Sequence, residues 1–145
     1  LAPHPEGGFY REVFRSTASV MPGDGRPARA GLTTIDFLLA AGQYSAWHRV
    51  ASDEVWHRFE GAALRLWLVS PALDAVIEVL LDSAAPSHAP RHAVPAGWWQ
   101  AAESLGDYSY VGATVGPGFD FADFSFGRDD SAFRASLRAD LQRLL

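Results

Sequence analysis

Four short runs of alternating residues follow one another with little between them: Tyr44–Val50, Glu54–Phe59, Ala63–Val69 and Val76–Leu81. Each is six or seven residues long. Side chains alternate between the two faces of a strand, so such runs bury one face and solvate the other. Short runs at this regular spacing predict an all-β sandwich or barrel. Phe9–Arg15 and Leu32–Leu39 precede them, and Ala93–Ala102 and Tyr108–Val115 follow, with Leu105-Gly106-Asp107 as a turn. Ser16–Ala30, Ala41-Gly42-Gln43 and Asp82–Pro90 are rich in small, Gly and Pro residues and read as turns or loops. Phe119–Phe126 places aromatics at 119, 121, 124 and 126, the pattern of packing in a buried strand. Only the end reads as helix. Asp129, Asp130 and Ser131 offer N-caps, and Phe133, Leu137, Leu141 and Leu144 recur at helical spacing, with an apolar face to lay on the barrel. Residues 1–145 form one domain by length.

Composition removes several function classes. A net charge of −5 gives no attraction for nucleic acid or anionic membranes. There is no cysteine, which excludes disulfides and thiolate chemistry. All 12 basic residues are arginine, which excludes a Schiff-base lysine. No apolar run approaches a membrane span and no secretory signal pattern appears, so a cytoplasmic location is expected. The chain opens on Leu1 rather than Met, which leaves room for a preceding segment.

Chemistry concentrates in GQYSAWHRVASDEVWHRFEG, Gly42 to Gly61. Strand parity puts His48 and Val50 on one face. In the next run Glu54, Trp56 and Arg58 share a face opposite Val55, His57 and Phe59. Gly42, His48, Glu54 and Gly61 stand at the spacing G-x5-H-x-H-x3-4-E-x6-G, with Val50 where the second histidine belongs. Farther on, Pro95, Gly97, Gln100 and Ser104 match P-x-G-x2-H-x3-N, with Gln100 in the histidine place and Ser104 in that of the asparagine.

These two motifs resemble those of the cupin superfamily. The phrases His4-Pro5-Glu6-Gly7-Gly8-Phe9-Tyr10, Trp47-His48-Arg49-Val50, Asp53-Glu54-Val55-Trp56-His57, Val94-Pro95-Ala96-Gly97-Trp98-Trp99-Gln100 and Val115-Gly116-Pro117-Gly118-Phe119 resemble one branch of it, cupin_5 (domain of unknown function 985). The resemblance implies a double-stranded β-helix, a jelly-roll-like barrel with a pocket inside, paired as a homodimer. It implies no settled activity, only a likeness to sugar epimerases and isomerases.

The cupin scaffold gathers three histidines and a glutamate around a metal. Here His48 and Glu54 remain, Val50 has no ligating atom and Gln100 offers a neutral amide, a weak set for Zn, Fe or Ni. No metal cofactor is therefore expected; if one were held, its ligands would be His48, Glu54 and Gln100. His57 would join them only if a bulge reversed the strand parity. Without a metal the same residues suit proton transfer on a small polar, sugar-like molecule. His48 would be the general base and Glu54 its orienting partner, or the two would pass a proton through the substrate. Gln100 would donate to a substrate oxygen, and Tyr110 or Tyr108 would act as acid. Trp56 and Trp98 would stack on the ligand, with His57, Arg58 and Tyr108 completing its contacts. The alternatives are a dimeric barrel that binds a small ligand without turning it over, and a metal-dependent enzyme built on His48 and Glu54. Structural roles compete at each position. A strand histidine more often satisfies a hydrogen bond, the tryptophans more often fill the core, and Arg58 and Arg65 more often form salt bridges. His4 reads as part of a shaped turn, Glu6 as a residue that could touch the pocket although nothing in the spacing requires it, and His88 and His92 as solvated.

Overall fold

The computed structural model describes residues 1–145. Its strands are β1 (Ala2–Pro3), β2 (Phe9–Arg15), β3 (Ser19–Val20), β4 (Arg29–Ala30), β5 (Thr33–Ala40), β6 (Tyr44–Val50), β7 (Asp53–Gly61), β8 (Leu64–Val69), β9 (Val76–Leu81), β10 (Arg91–Val94), β11 (Trp99–Ser104), β12 (Tyr108–Gly116) and β13 (Phe124–Phe126). Two antiparallel sheets face one another, one in the order β1-β2-β5-β12-β7-β10 and the other β13-β6-β11-β8-β9. From β5 onward the chain changes sheet at nearly every step, which winds both sheets around one axis as a double-stranded β-helix. Gly61 ends β7 at φ 86°, a left-handed turn that glycine adopts without strain, and its bare Cα lies under the Tyr108 ring.

Alternation along the strands builds two separate cores. Between the sheets, Phe37, Leu39, Trp56, Val94 and Val111 of one meet Leu64, Leu66, Leu68, Leu81 and Ala102 of the other. The outer face of the five-stranded sheet is apolar as well. Trp47, Trp67, Val69, Trp99 and Ala101 point away from the barrel, and Phe133, Leu137, Leu141 and Leu144 cover them. The indole of Trp47 donates to the Leu141 carbonyl (3.0 Å), so the cover is hydrogen-bonded as well as packed.

Three expectations change in detail. Ala93–Ala102 is not one strand but two in different sheets: β10 pairs with β7, and β11 with β6 and β8. Pro95 lacks the N–H a ladder needs, and Gly97 takes φ 82°, so the chain turns there and crosses over. The C-terminal helix is a single short element, α1 (Ser131–Ser136), capped by Asp130, whose side chain accepts from the Phe133 N–H. Leu137 is extended, and Ala139–Leu144 resumes as a 3₁₀ helix. The break still lets all four apolar residues reach one surface. Phe119–Phe126 is not a buried strand: only Phe124–Phe126 pairs, with β6, while Phe121–Asp123 is a 3₁₀ turn and Phe121 is 51% exposed. No helix is long and apolar enough to cross a membrane.

The cover depends most on Phe133, fully buried and stacked on Trp99 with ring centroids 4.3 Å apart. Phe133→Ala should lower stability by about 3–5 kcal/mol in urea unfolding, as for a large side chain removed from a packed core. A loss below about 1 kcal/mol would show that the cover adds little to the barrel.

Candidate functional site

The inner core fills one end of the barrel, and the other end stays open as a cavity of about 440 Å³. Strand parity sets its lining. On β5, Thr33 and Ile35 face the cavity where Phe37 and Leu39 face the core; on β12, Val115 and Ala113 do so where Val111 does not. On β7, Glu54 faces the cavity and Trp56 the core. His48 and Val50 enter from β6.

A bulge in β6 builds the floor. Opposite β11, Gln100 pairs with His48 but Ala102 pairs with Ser45, so β6 carries one residue more than its partner across that step. Ser45 and His48, three apart, therefore point the same way. Both reach Glu6, which comes from the turn before β2. Ser45 Oγ donates to Glu6 Oε2 (2.6 Å), and His48 Nδ1 lies 2.9 Å from the same oxygen. The backbone of the turn is tied to the bulge too, since Ala46 N donates to the Glu6 carbonyl (2.7 Å). Gly7 makes this approach possible: at φ 114° a side chain there would run into the Tyr44 carbonyl.

The contacts fix the protons. His48 Nδ1 faces two acceptors, Glu6 Oε2 and the Ala46 carbonyl (2.7 Å), so it carries hydrogen and leaves Nε2 to the cavity. His4 is the opposite tautomer. Its Nδ1 accepts from the Glu6 N–H (3.1 Å), which leaves Nε2–H free of any protein partner. Burial lowers the pKa of His4, against the pull of Glu6, and the charge of nearby His48 lowers it further. A neutral His4 makes its 3.4 Å approach to Glu6 a packing contact rather than an ion pair. Burial alone would lower the pKa of His48, but the charge and hydrogen bonding of Glu6, then the charge of Glu54, raise it to about 9. Burial works to raise the Glu6 pKa, yet His48 holds it below the ordinary value. His48 and Glu6 are thus an imidazolium–carboxylate pair at neutral pH.

Glu54 has no such partner. Trp56 Nε1 can only donate, and it donates to Gln100 Oε1 (2.7 Å); this turns the Gln100 amide so that Nε2 donates to Glu54 Oε1 (2.7 Å). A proton on Glu54 therefore sits on Oε2. Burial raises the Glu54 pKa to about 7; His48 opposes the rise, Glu6 adds to it and the Gln100 bond opposes it. The floor joins a charged imidazole to a carboxyl that is half ionised near neutrality.

Several residues singled out from the sequence lie elsewhere. Gln100 is buried one bond behind Glu54, and Trp56 one bond behind Gln100, in the inner core. Trp98 packs on the edge of that core. Tyr110 is on the outer face of the six-stranded sheet, where its hydroxyl donates to Asp36 Oδ2 (2.6 Å), which also pairs with Arg11. His57 shares that outer face and stacks on Phe59; burial lowers its pKa, and the charge of Arg91 adds to this. Tyr108 covers Gly61 on the outside. Arg58 donates to the Gly61 carbonyl (2.6 Å), at the opposite end of β7 from Glu54. Tyr110, Tyr108, His57, Arg58 and Trp98 are therefore not cavity residues. The partner that orients His48 is Glu6 rather than Glu54. Among the residues that spacing did not bring to the cavity are His4, Glu6, Tyr10, Phe119, Phe121 and Phe124. A sequence sign of the first two was the phrase His4-Pro5-Glu6-Gly7-Gly8, whose glycine pair allows a close backbone approach.

The donor set does not fit a transition metal. Val50 has no ligand atom, the Gln100 oxygen accepts from Trp56, and His48 Nδ1 is engaged by Glu6 and the Ala46 carbonyl. No three His, Asp or Glu side chains are grouped to hold an ion.

The family described as "Cupin superfamily (DUF985)" matches residues 1–127. The fold superimposes on a hypothetical protein from Leishmania major with TM-score 0.86 and 28% identity, covering 99% of this chain and 92% of that one. A protein from Shewanella oneidensis gives TM-score 0.85 and 31% identity, over 99% and 89%. Oxalate decarboxylase from Bacillus subtilis shares the fold alone, at TM-score 0.63 and 12% identity over 99% of this chain and 36% of that one. No curated protein matches the chain.

The pair on the floor is open to direct measurement. In an NMR titration His48 should lose its proton near pH 9. Glu6→Gln should lower that pKa by about 1–3 units, the usual effect of a close opposite charge. An unchanged His48 titration in a folded Glu6→Gln protein would mean that Glu6 does not set its charge.

Proposed function

The chain belongs to the cupin superfamily, in its DUF985 family, and from that premise we propose a metal-independent enzyme that moves a proton beside a carbonyl, as isomerases and epimerases do. The observation that carries the reading is the pairing of two buried groups with opposed protonation states on one cavity floor. Glu54, ionised above about pH 7, is the base, and His48, protonated below about pH 9, is the acid. The substrate carbonyl oxygen accepts from His48 Nε2–H. Glu54 Oε2 takes the proton from the adjacent carbon, the C–H electron pair becomes the enolate π-bond, and His48 steadies the oxygen charge. The proton then returns to carbon. Glu6 is a positioning residue: it never meets the substrate but fixes the tautomer and charge of His48. Gln100 likewise holds Glu54 and leaves Oε2 free.

A homodimer is part of the same proposal. The outer face of the six-stranded sheet carries an exposed Phe59 and the half-buried His57 and Tyr110 beside it, an apolar and aromatic strip that pairing about a two-fold axis would cover. Sedimentation at micromolar concentration should give twice the chain mass, and a monomer there would reject this part.

The chemical reading is tested by exchange of α-hydrogens for deuterium in deuterium oxide, followed by NMR, over ketones from D-fructose to phenylacetone. At least one should exchange faster with the protein present. The rate should rise as Glu54 ionises near pH 7 and fall as His48 deprotonates near pH 9. Glu54→Gln should cost about 10²–10⁴-fold, as for loss of one acid–base group. Binding of a ketone with no exchange at any pH would favour a barrel that holds a ligand without turning it over.

A further inference from the structure

The charged groups of the cavity differ in burial. His4, Glu6, His48 and Glu54 form the floor, and Glu12, Arg15 and Asp120 lie at the rim. Arg15 is occupied at that rim by Glu12 and the Phe119 carbonyl. The rest of the lining is mainly apolar and aromatic: Ile35, Val50, Val115, the phenylalanines 119, 121 and 124, and Tyr10 with its one hydroxyl. Thr33 Oγ1 accepts from the Phe119 N–H.

A sugar does not suit the phenylalanine side of this wall. Each ring hydroxyl held against Phe119, Phe121 and Phe124 would lose its water and gain no partner, at a cost of about 1–3 kcal/mol per group. The floor offers the Nε2–H groups of His48 and His4 and the Glu54 carboxyl, a small polar set at one end of an otherwise largely apolar lining.

The aromatic wall points to what does fit. Phe119 and Phe121 meet edge to face at 4.9 Å, and Phe121 and Phe124 at 6.2 Å. Phe124 in turn lies parallel to the His48 ring at 5.1 Å. Phe121 is nonetheless half exposed, and its exposure is not that of a loose loop. Asp123, two residues on, is held by Arg26 and Arg29 at 2.9 Å each, and Asp120 caps the turn through the Ala122 N–H. A phenyl ring is thus fixed at the cavity with one side unfilled. Another ring placed in the cavity would extend the edge-to-face array, the arrangement aromatic groups prefer. A volume of about 440 Å³ admits one ring with a short polar end.

We propose that the ligand is a small aryl carbonyl or enol, with its single oxygen on the His48–Glu54 floor and its ring against Phe121, Phe119 and Phe124. The carbonyl end rests on the proton-transfer reading above; the aryl body rests on the wall alone.

The test uses para-nitrophenol, one ring with one oxygen that ionises near neutrality and whose ionised form has its own absorbance band. Titrated into the full chain at pH 7.5, it should bind with a saturable change in its absorbance. Phe121→Ala should weaken binding about tenfold, the scale of lost aromatic contact. Because Phe121 is half exposed, that variant should melt like the parent. A large excess of D-fructose should not displace the probe. Absence of binding, indifference to Phe121→Ala in a folded variant, or displacement by fructose would each overturn the proposal. The two readings fail separately. Probe binding without deuterium exchange in any ketone rejects the enzyme and keeps the ligand class, whereas exchange in fructose without probe binding does the reverse.

Discussion

The pair formed by Glu6 and His48 is the contact on which the open end of the barrel depends. Two ions buried together seldom stabilise a fold much, because desolvation takes back most of what their attraction gives. Their contribution here is to order. The pair ties the turn before β2 to the bulge in β6, and Ser45 and the Ala46 N–H complete the attachment. It settles the His48 tautomer and leaves Nε2 to the cavity. It also reaches Glu54, whose pKa reflects burial first, then the opposing charges of His48 and Glu6. Removing either partner would leave the other buried without its counter-charge, at about 3–5 kcal/mol.

A barrel with an unfilled end needs its packing elsewhere. Half of it lies outside the barrel, where the five-stranded sheet turns Trp47, Trp67 and Trp99 outward and the C-terminal segment covers them. The two cores meet along β6 and β11, which carry cavity or inner residues on one face and cover residues on the other. His48 is thus held between neighbours, Trp47 and Arg49, that face outward; Arg49 lies over the Trp99 ring at 4.5 Å. Inward, a line of hydrogen bonds from Trp56 through Gln100 to Glu54 joins the filled end to the open one. A polar residue in the place of a cupin metal ligand therefore has a structural task that a histidine in the same place would not perform in the same way.

The strands were largely legible because alternation is local. Phe9–Arg15, Tyr44–Val50 and Val76–Leu81 have the bounds their patterns suggest. Alternation does not reveal a change of sheet, so Ala93–Ala102 read as one strand although Pro95 and Gly97 divide it. Helical spacing likewise kept Phe133, Leu137, Leu141 and Leu144 on one face but did not show that Leu137 leaves the helix. His48 and Glu54 were legible as members of one spaced motif, and parity correctly opposed His57 to Glu54. Parity also separates Tyr110 from Val111 and Ala113, and the structure places Tyr110 on the outer face because the inward set of β12 is the odd-numbered one.

The sequence by itself determined that this chain is an all-β barrel of the cupin kind, that its motif keeps one imidazole and one carboxylate, and that Val50 cannot replace a ligand. Those features reside in residue type and short spacing. Only the tertiary structure decided which groups meet. Glu6 and His4 reach the floor from a distant turn, because Gly7 lets the backbone approach and the β6 bulge redirects two side chains toward it. Gln100 became a spacer rather than a cavity residue because Trp56 claims its oxygen. Phe119 to Phe124 became a cavity wall because the chain leaves the ladder at a 3₁₀ turn, whereas alternating aromatics look the same in sequence whether they face a core or an open space.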